Sequence, residues 1–240
     1  AAITGKRPGN KEHRGDLKTP EGLYFATGKL TGPRLPNKYG NLAFMLDFPN
    51  VFDKKMQKTG SGIWIHSTNN PDRLKAAFDT EGCVALSNPD IAELEKYIIP
   101  FQTPVVITQE MTTATDEKEL EIPRRLSLEM IEAWRKSWED SDFNSYQSFY
   151  SKNFLTLGKK KSRWVDFKKN LSKIHRGEMQ IYISQPKILA FEDQLLAVFN
   201  QEYHSPGKHD VGQKFLYLQW EGDRYRIIAE KWYPTPSPAI

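Results

Sequence analysis

The chain has 240 residues, with 34 Lys+Arg against 30 Asp+Glu, a formal net charge of +4, 38% hydrophobic and 12% aromatic residues. That length admits one or two domains of ordinary size, the aromatic content argues against a disordered chain, and the weak net charge makes no case for nucleic-acid binding. No apolar run approaches the roughly 18 residues that span a bilayer, and the single cysteine excludes an internal disulfide or a Cys-rich zinc site.

The first half, to residue 122, is rich in Gly and Pro and reads as short strands and loops. Thr19-Pro20-Glu21-Gly22 is a turn signal ahead of the strand Leu23–Phe25. Ala43–Leu46, Gly62–His66 and the β-branched Pro104–Thr108 are further strand-like runs. One helix is well marked: Asn88 as its cap, Pro89 in the first turn, then Ile91, Leu94, Tyr97 and Ile98 on one face. Residues 111–125 are polar, end at Pro123 and predict a strand end or linker.

The second half, 123–240, holds five of the six tryptophans. Ser127 predicts the cap of a helix with Ile131, Trp134 and Trp138 on one face. A short helix around Phe143–Tyr150 follows. A third, over 162–175, places Trp164, Phe167, Leu171 and Ile174 on one side. Four strand runs come last, Gln180–Phe191, Gln194–Tyr203, Lys214–Trp220 and Arg224–Trp232, with Glu221-Gly222-Asp223 as a hairpin turn. Helices followed by strands predict an α+β domain with helices packed on a curved antiparallel sheet. Lys159–Lys161 reads as a solvated loop. His175, His204 and His209 show no familiar metal spacing, and no metal or other cofactor is expected.

The one thiol lies in Thr80-Glu81-Gly82-Cys83-Val84. A lone Cys is more often a small buried hydrophobe than a nucleophile. Its setting argues otherwise: Gly82 allows close approach, and the amides of Gly82 and Cys83 could meet a developing oxyanion. His66, at the end of the run Ile63-Trp64-Ile65, is the candidate base for that thiol. Trp64 shares a strand face with His66 and would either stack on a substrate or pack in the core. Asp16, Lys18 and Glu21 read as turn-ordering residues.

Two segments carry a family resemblance. Gly62-Ile63-Trp64-Ile65-His66-Ser67 followed by Thr80-Glu81-Gly82-Cys83 resembles the active-site signature of the L,D-transpeptidase (YkuD-type) catalytic domain, and Gly15-Asp16-Leu17-Lys18-Thr19-Pro20-Glu21-Gly22 resembles its upstream Gly-Asp-x-x-Thr-Pro-x-Gly segment. The second half resembles the NTF2-like fold by order of elements. The resemblance implies a β-sandwich-like catalytic domain over 1–122, entered late and lacking N-terminal strands, then an NTF2-like domain over 123–240. It implies Cys83 as nucleophile, His66 as base, the Ser67 backbone carbonyl as the group orienting the imidazole, and the Gly82 amide in the oxyanion hole. Trp64, Thr80, Glu81, Ala85 and Ser87 are then candidate substrate contacts. Glu81 and Ala85 depart from the pattern, standing where many members carry His and Arg. The pairing of domains is similar to periplasmic L,D-carboxypeptidases that set cell shape by trimming peptidoglycan tetrapeptides to tripeptides. The implied partners are peptidoglycan stem peptides, with a glycan or protein ligand in an NTF2-like pocket involving Tyr182, Phe199, Tyr217 or Trp232. A cross-linking L,D-transpeptidase and a non-catalytic wall-binding scaffold are the alternatives. Ala1–Lys6 shows no leader pattern, so a periplasmic location rests on the resemblance alone.

Overall fold

A computed structural model describes residues 2–110, 117–174 and 178–235. The chain divides into two compact units, Ala1–Met111 and Thr112–Ile240.

The first unit is strand-rich with a few short helices. Its strands are β1 (Ala2–Gly5), β2 (Gly22–Thr31), β3 (Leu42–Leu46), β4 (Trp64–Ser67), β5 (Phe78–Thr80), β6 (Val84–Leu86) and β7 (Pro104–Ile107); its α-helices are α1 (Val51–Lys55) and α2 (Asn88–Glu95). The strands follow one path, β5-β1-β6-β4-β3-β2-β7. β2 is long enough to serve two neighbours: Gly22–Phe25 pair with β7, and Ala26–Thr31 pair with β3. β4 lies at the centre, antiparallel to β3 and parallel to β6. Tyr24, Phe44, Ile63, Ile65 and Ile91 form the core beneath it. Ser87, not Asn88, caps α2, its hydroxyl accepting the Asp90 amide at 3.1 Å. The helix stops at Glu95, so Tyr97 escapes the expected apolar face and is 65% exposed.

The second unit contains α3 (Glu117–Glu139), α4 (Phe143–Ser148) and α5 (Lys161–Ile174), then the strands β10 (Gln180–Ile183), β11 (Lys187–Phe191), β12 (Gln194–Ser205), β13 (Lys208–Glu221) and β14 (Arg224–Pro234); a small pair, β8 (Leu155–Thr156) and β9 (Lys159–Lys160), precedes α5. The NTF2-like α+β arrangement is as expected, with two changes among the strands. The first run is two strands, β10 and β11, both paired antiparallel to β12. The Lys159–Lys161 stretch is ordered: Lys161 opens α5 and its ammonium donates to the Tyr150 carbonyl at 2.9 Å. The β13–β14 turn falls at Gly222-Asp223, with Glu221 opposite Arg224.

Among the helices, α3 begins well before Ser127. Pro123 lies inside it and Ser127 is fully buried within it, so the described part of the expected linker is helical. The stripe Met130, Ile131, Trp134 and Trp138 packs into the core with Tyr146, Tyr150, Phe154 and Phe199. That burial outweighs the missing amide donor of one proline. α5 is rotated from the expected face. Trp164, Val165 and Lys168 are buried, whereas Phe167 is 42% and Ile174 71% exposed. Of the aromatics expected around a pocket, Phe199 and Tyr217 are buried and Tyr182 is exposed, which leaves Trp232 lining the cavity described below.

Candidate active site

β4 carries His66 between Ala43 of β3 and Ala85 of β6, and its side chain is 2% exposed. Its Nδ1 lies 2.7 Å from the carbonyl oxygen of Ser67. A carbonyl can only accept, so Nδ1 carries the proton and Nε2 is left as the basic nitrogen. The Ser67 hydroxyl accepts the Asn41 amide at 2.8 Å, which ties β4 to the loop holding Lys38 and Tyr39. Gly40 makes this approach possible. Its φ is +70°, and a Cβ there would lie 2.2 Å from Ser67 Oγ. The loop sets the Tyr39 ring edge-on to His66 and also against Trp64, with both ring centres 4.9 Å away.

Cys83 sits in the turn between β5 and β6. Its thiol donates to the Gly62 carbonyl at 3.5 Å and also receives the Trp64 amide. Thr80, 4% exposed, braces this turn: its hydroxyl donates to the Cys83 carbonyl at 2.7 Å and accepts the Gly82 amide at 3.1 Å. The Gly82 N–H, expected in an oxyanion hole, is thus engaged by Thr80 in the resting geometry. Gly82 has φ +126°, and a Cβ on it would fall 2.6 Å from the Lys18 carbonyl oxygen. The Lys18 loop is itself held by Asp16, whose carboxylate accepts the amides of Glu12, His13 and Lys18 and the ammonium of Lys11. Burial pushes that carboxyl up, but these bonds outweigh it and hold Asp16 well below the usual carboxylate range.

Cys83 and His66 open on one cavity of about 440 Å³. Five cations line it, Lys6, Lys11, Arg14, Lys38 and Arg73, against Asp79 and Glu81. Lys11 is paired with Asp16 and Arg73 with Asp79. Among the described residues, Lys6, Arg14 and Lys38 have no carboxylate partner. Burial lowers the His66 pKa below 6.5; the Ser67 bond opposes this, and Arg73 and Lys38 add to it. Burial raises the Cys83 thiol above 9.0, partly offset by the Trp64 amide and by Lys38. The resting pair is therefore a neutral thiol and a neutral imidazole at pH 7, and forming the thiolate means passing a proton to Nε2.

The other candidate contacts separate. Thr80 and Glu81 reach the cavity, Thr80 chiefly as a brace. Trp64 packs on Tyr39 and is outside the lining. Ala85 is fully buried opposite His66 in the ladder, where no substrate reaches it. Ser87 caps α2. Sequence reasoning missed Lys38 and Tyr39. Their Leu35-Pro36-Asn37-Lys38-Tyr39-Gly40 stretch reads only as a loop, and nothing local says that it folds back on β4.

The second unit holds its own cavity of about 240 Å³, between α5 and the sheet, lined by Trp138, Trp164, Phe167, Lys168, Lys214 and Trp232 among others. Glu230 binds Lys214 at 2.8 Å and accepts from Tyr150 and Trp164. The Lys168 ammonium lies 3.7 Å above the Trp138 ring and 4.9 Å above Trp164. Burial, with Lys214 nearby, lowers its pKa to about 7.

Residues 1–107 match the L,D-transpeptidase catalytic domain, YkuD, and residues 127–231 match the Cds6 C-terminal NTF2-like domain. The structure of Bd1075 from Bdellovibrio bacteriovorus is 36% identical over 99% of this chain and 83% of that one, with a TM-score of 0.77. The chain belongs to the YkuD-type L,D-transpeptidase family. It is also similar to a protein from Campylobacter jejuni described as the helical cell shape determining protein Pgp2, at 28% identity, 96% and 80% coverage and a TM-score of 0.70. No curated protein matches the chain. Membership makes this an L,D-transpeptidase-fold enzyme of the cysteine-dependent kind, and no described helix is long and apolar enough to cross a membrane.

Proposed function

We propose that this YkuD-type protein is a periplasmic cysteine L,D-carboxypeptidase that removes the terminal D-Ala from peptidoglycan tetrapeptides and so influences cell shape. The observation that carries the reading is the shared cavity of Cys83 and His66, with Nδ1 of the imidazole committed to the Ser67 carbonyl. His66 Nε2 takes the thiol proton as Sγ attacks the carbonyl carbon of the L-centre. The tetrahedral intermediate collapses when the same proton passes to the leaving D-Ala amine, leaving a thioester. Water then attacks, giving one proton to His66; the thiol leaves, recovers it, and the tripeptide is released. The Cys83 amide would be left to meet the oxyanion, since Thr80 engages that of Gly82 in the resting geometry. Lys38 would hold a substrate carboxylate. It faces the cavity with no carboxylate partner among the described residues and acts electrostatically on both Cys83 and His66, while Ala85 supplies no charge.

The resemblance to Pgp2 supports the cell-shape role, and hydrolysis over cross-linking is the reading that the pairing of domains implied from the sequence. The aromatic, lysine-bearing cavity of the second unit suits a wall glycan, with rings to stack on sugar faces. Incubation with disaccharide tetrapeptide and mass spectrometry of the products tests the reading. Tripeptide and free D-Ala are expected, and Cys83→Ala should yield neither. Cross-linked dimers as the main product from an added acceptor peptide would make the protein a transpeptidase. Unchanged muropeptides would leave a wall-binding scaffold.

A further inference from the structure

The β12–β13 hairpin brings together three side chains that the site in the first unit does not use. Ser205 pairs with Lys208 across the two-residue loop Pro206-Gly207, and the next pair is His204 opposite His209. Directly opposed residues project from the same sheet face, and so does Glu202, two positions before His204. The two imidazoles stack with ring centres 4.1 Å apart. Glu202 Oε2 lies 3.2 Å from His204 Nε2 and 3.9 Å from His209 Nε2. One ligand atom from each of the three residues falls within 4.8 Å of the others.

We infer that Glu202, His204 and His209 form a binding site for a divalent ion of the zinc type. Four-coordinate zinc takes His nitrogen and carboxylate oxygen at about 2.0–2.2 Å, which sets neighbouring ligand atoms roughly 3.4 Å apart. Both carboxylate–imidazole separations are within about half an ångström of that spacing, and the two imidazole nitrogens, which lie within 4.8 Å of each other, must turn out of their stack to reach one ion. Two imidazoles and one carboxylate favour zinc, nickel or copper over magnesium or calcium, which prefer all-oxygen shells. The nearest cation on the turn, Lys208, is paired with Asp210 at 2.9 Å. All three ligands are reachable by solvent, and Tyr182 stands edge-on to His204 at 5.5 Å. Three protein ligands leave at least one position for water or for an outside donor. Bound there, the ion would tie the open end of the hairpin across its two strands. The spacing hid this site because His204 and His209 meet only through a hairpin register.

Zinc chloride titrated into the intact chain by calorimetry is the test. A Cys83→Ser background removes the one thiol that could bind zinc elsewhere, and should leave the expected one-to-one, micromolar-range binding intact. Adding His204→Ala with His209→Ala should weaken that binding at least thirtyfold, and Glu202→Gln about tenfold, with circular dichroism unchanged. Calcium chloride should give no heat of binding. Zinc affinity unaltered by the double histidine substitution, or absent from the Cys83→Ser protein at millimolar zinc, would overturn the inference.

Discussion

Replacing Gly82 by alanine tests the geometry on which the thiol's position depends. The residue has φ +126°, a region reached almost only by glycine, and holding alanine there costs about 1–3 kcal/mol. The new Cβ would also sit 2.6 Å from the Lys18 carbonyl oxygen and 3.0 Å from Ile63 Cδ1. The first neighbour is backbone, in a loop pinned by the four bonds to Asp16, so it yields only at an overpacking cost of about 1–3 kcal/mol. Together these give about 4 kcal/mol, or roughly 15 °C in the melting of a unit of about 110 residues. Gly32→Ala is the matched control. Its φ is +61° and a Cβ there meets nothing within 4 Å, so only the left-handed backbone cost of about 1–2 kcal/mol applies. Scanning calorimetry of the intact chains should separate the two variants by roughly 10 °C, with D-Ala release lost only in Gly82→Ala. Equal melting temperatures, with turnover kept in both, would show that the Lys18 loop does not press on the turn.

Three further outcomes follow from the charges. Because burial holds His66 below 6.5 and Cys83 above 9.0, kcat/KM should fall on the acid side only below pH 6.5, where Nε2 is protonated and cannot take the thiol proton; thiolate absorbance already present at pH 7 would contradict the neutral pair. Lys38→Met should raise KM for a tetrapeptide about 10–100-fold, the equivalent of one charge-assisted hydrogen bond, with Lys38→Arg recovering most of it; an unchanged KM would remove Lys38 from substrate binding. In the second unit, Lys168 titrates near 7 in the fold against 10.5 when free, so between those values the unfolded chain holds more protons and stability rises with pH. Lys168→Met should therefore stabilise the protein most below pH 7, with the advantage fading toward pH 10.5 in urea titrations, and a pH-independent difference would refute the shift.

The strands were legible where β-branched or aromatic runs end in turn residues, as at Pro104–Ile107 and the Gly222-Asp223 hairpin. The helices were less so. Ser127 and Pro123 are strong local signals for a helix start, yet α3 runs through both, because the stripe from Met130 to Trp138 buries more apolar surface than those signals oppose. The face of α5 was misread for a related reason. Periodicity assumes that lysine faces water, whereas Lys168 is buried over two indole rings beside the buried Lys214–Glu230 pair.

The candidate site divides along the same line. The family resemblance implied Cys83, His66 and the Ser67 carbonyl, since each needs only its own strand or turn. What spacing could not supply is the set of contacts made across the sheet. Thr80 looks like a substrate contact in a linear signature, but its hydroxyl holds an amide and a carbonyl on either side of the thiol residue. Ala85 looks like a vacated recognition site, but its position opposite His66 in the ladder means that charge lost there can be replaced only from another element. Lys38 is the proposed replacement, from a loop nearly thirty residues before His66 that is held in place by the Gly40–Ser67 approach and the Asn41 bond. The acceptor that orients the imidazole and the cation that faces the cavity are thus linked through one serine, its carbonyl serving the first and its hydroxyl anchoring the loop of the second. Removing the Ser67 hydroxyl should therefore disturb substrate binding before it disturbs the proton transfer.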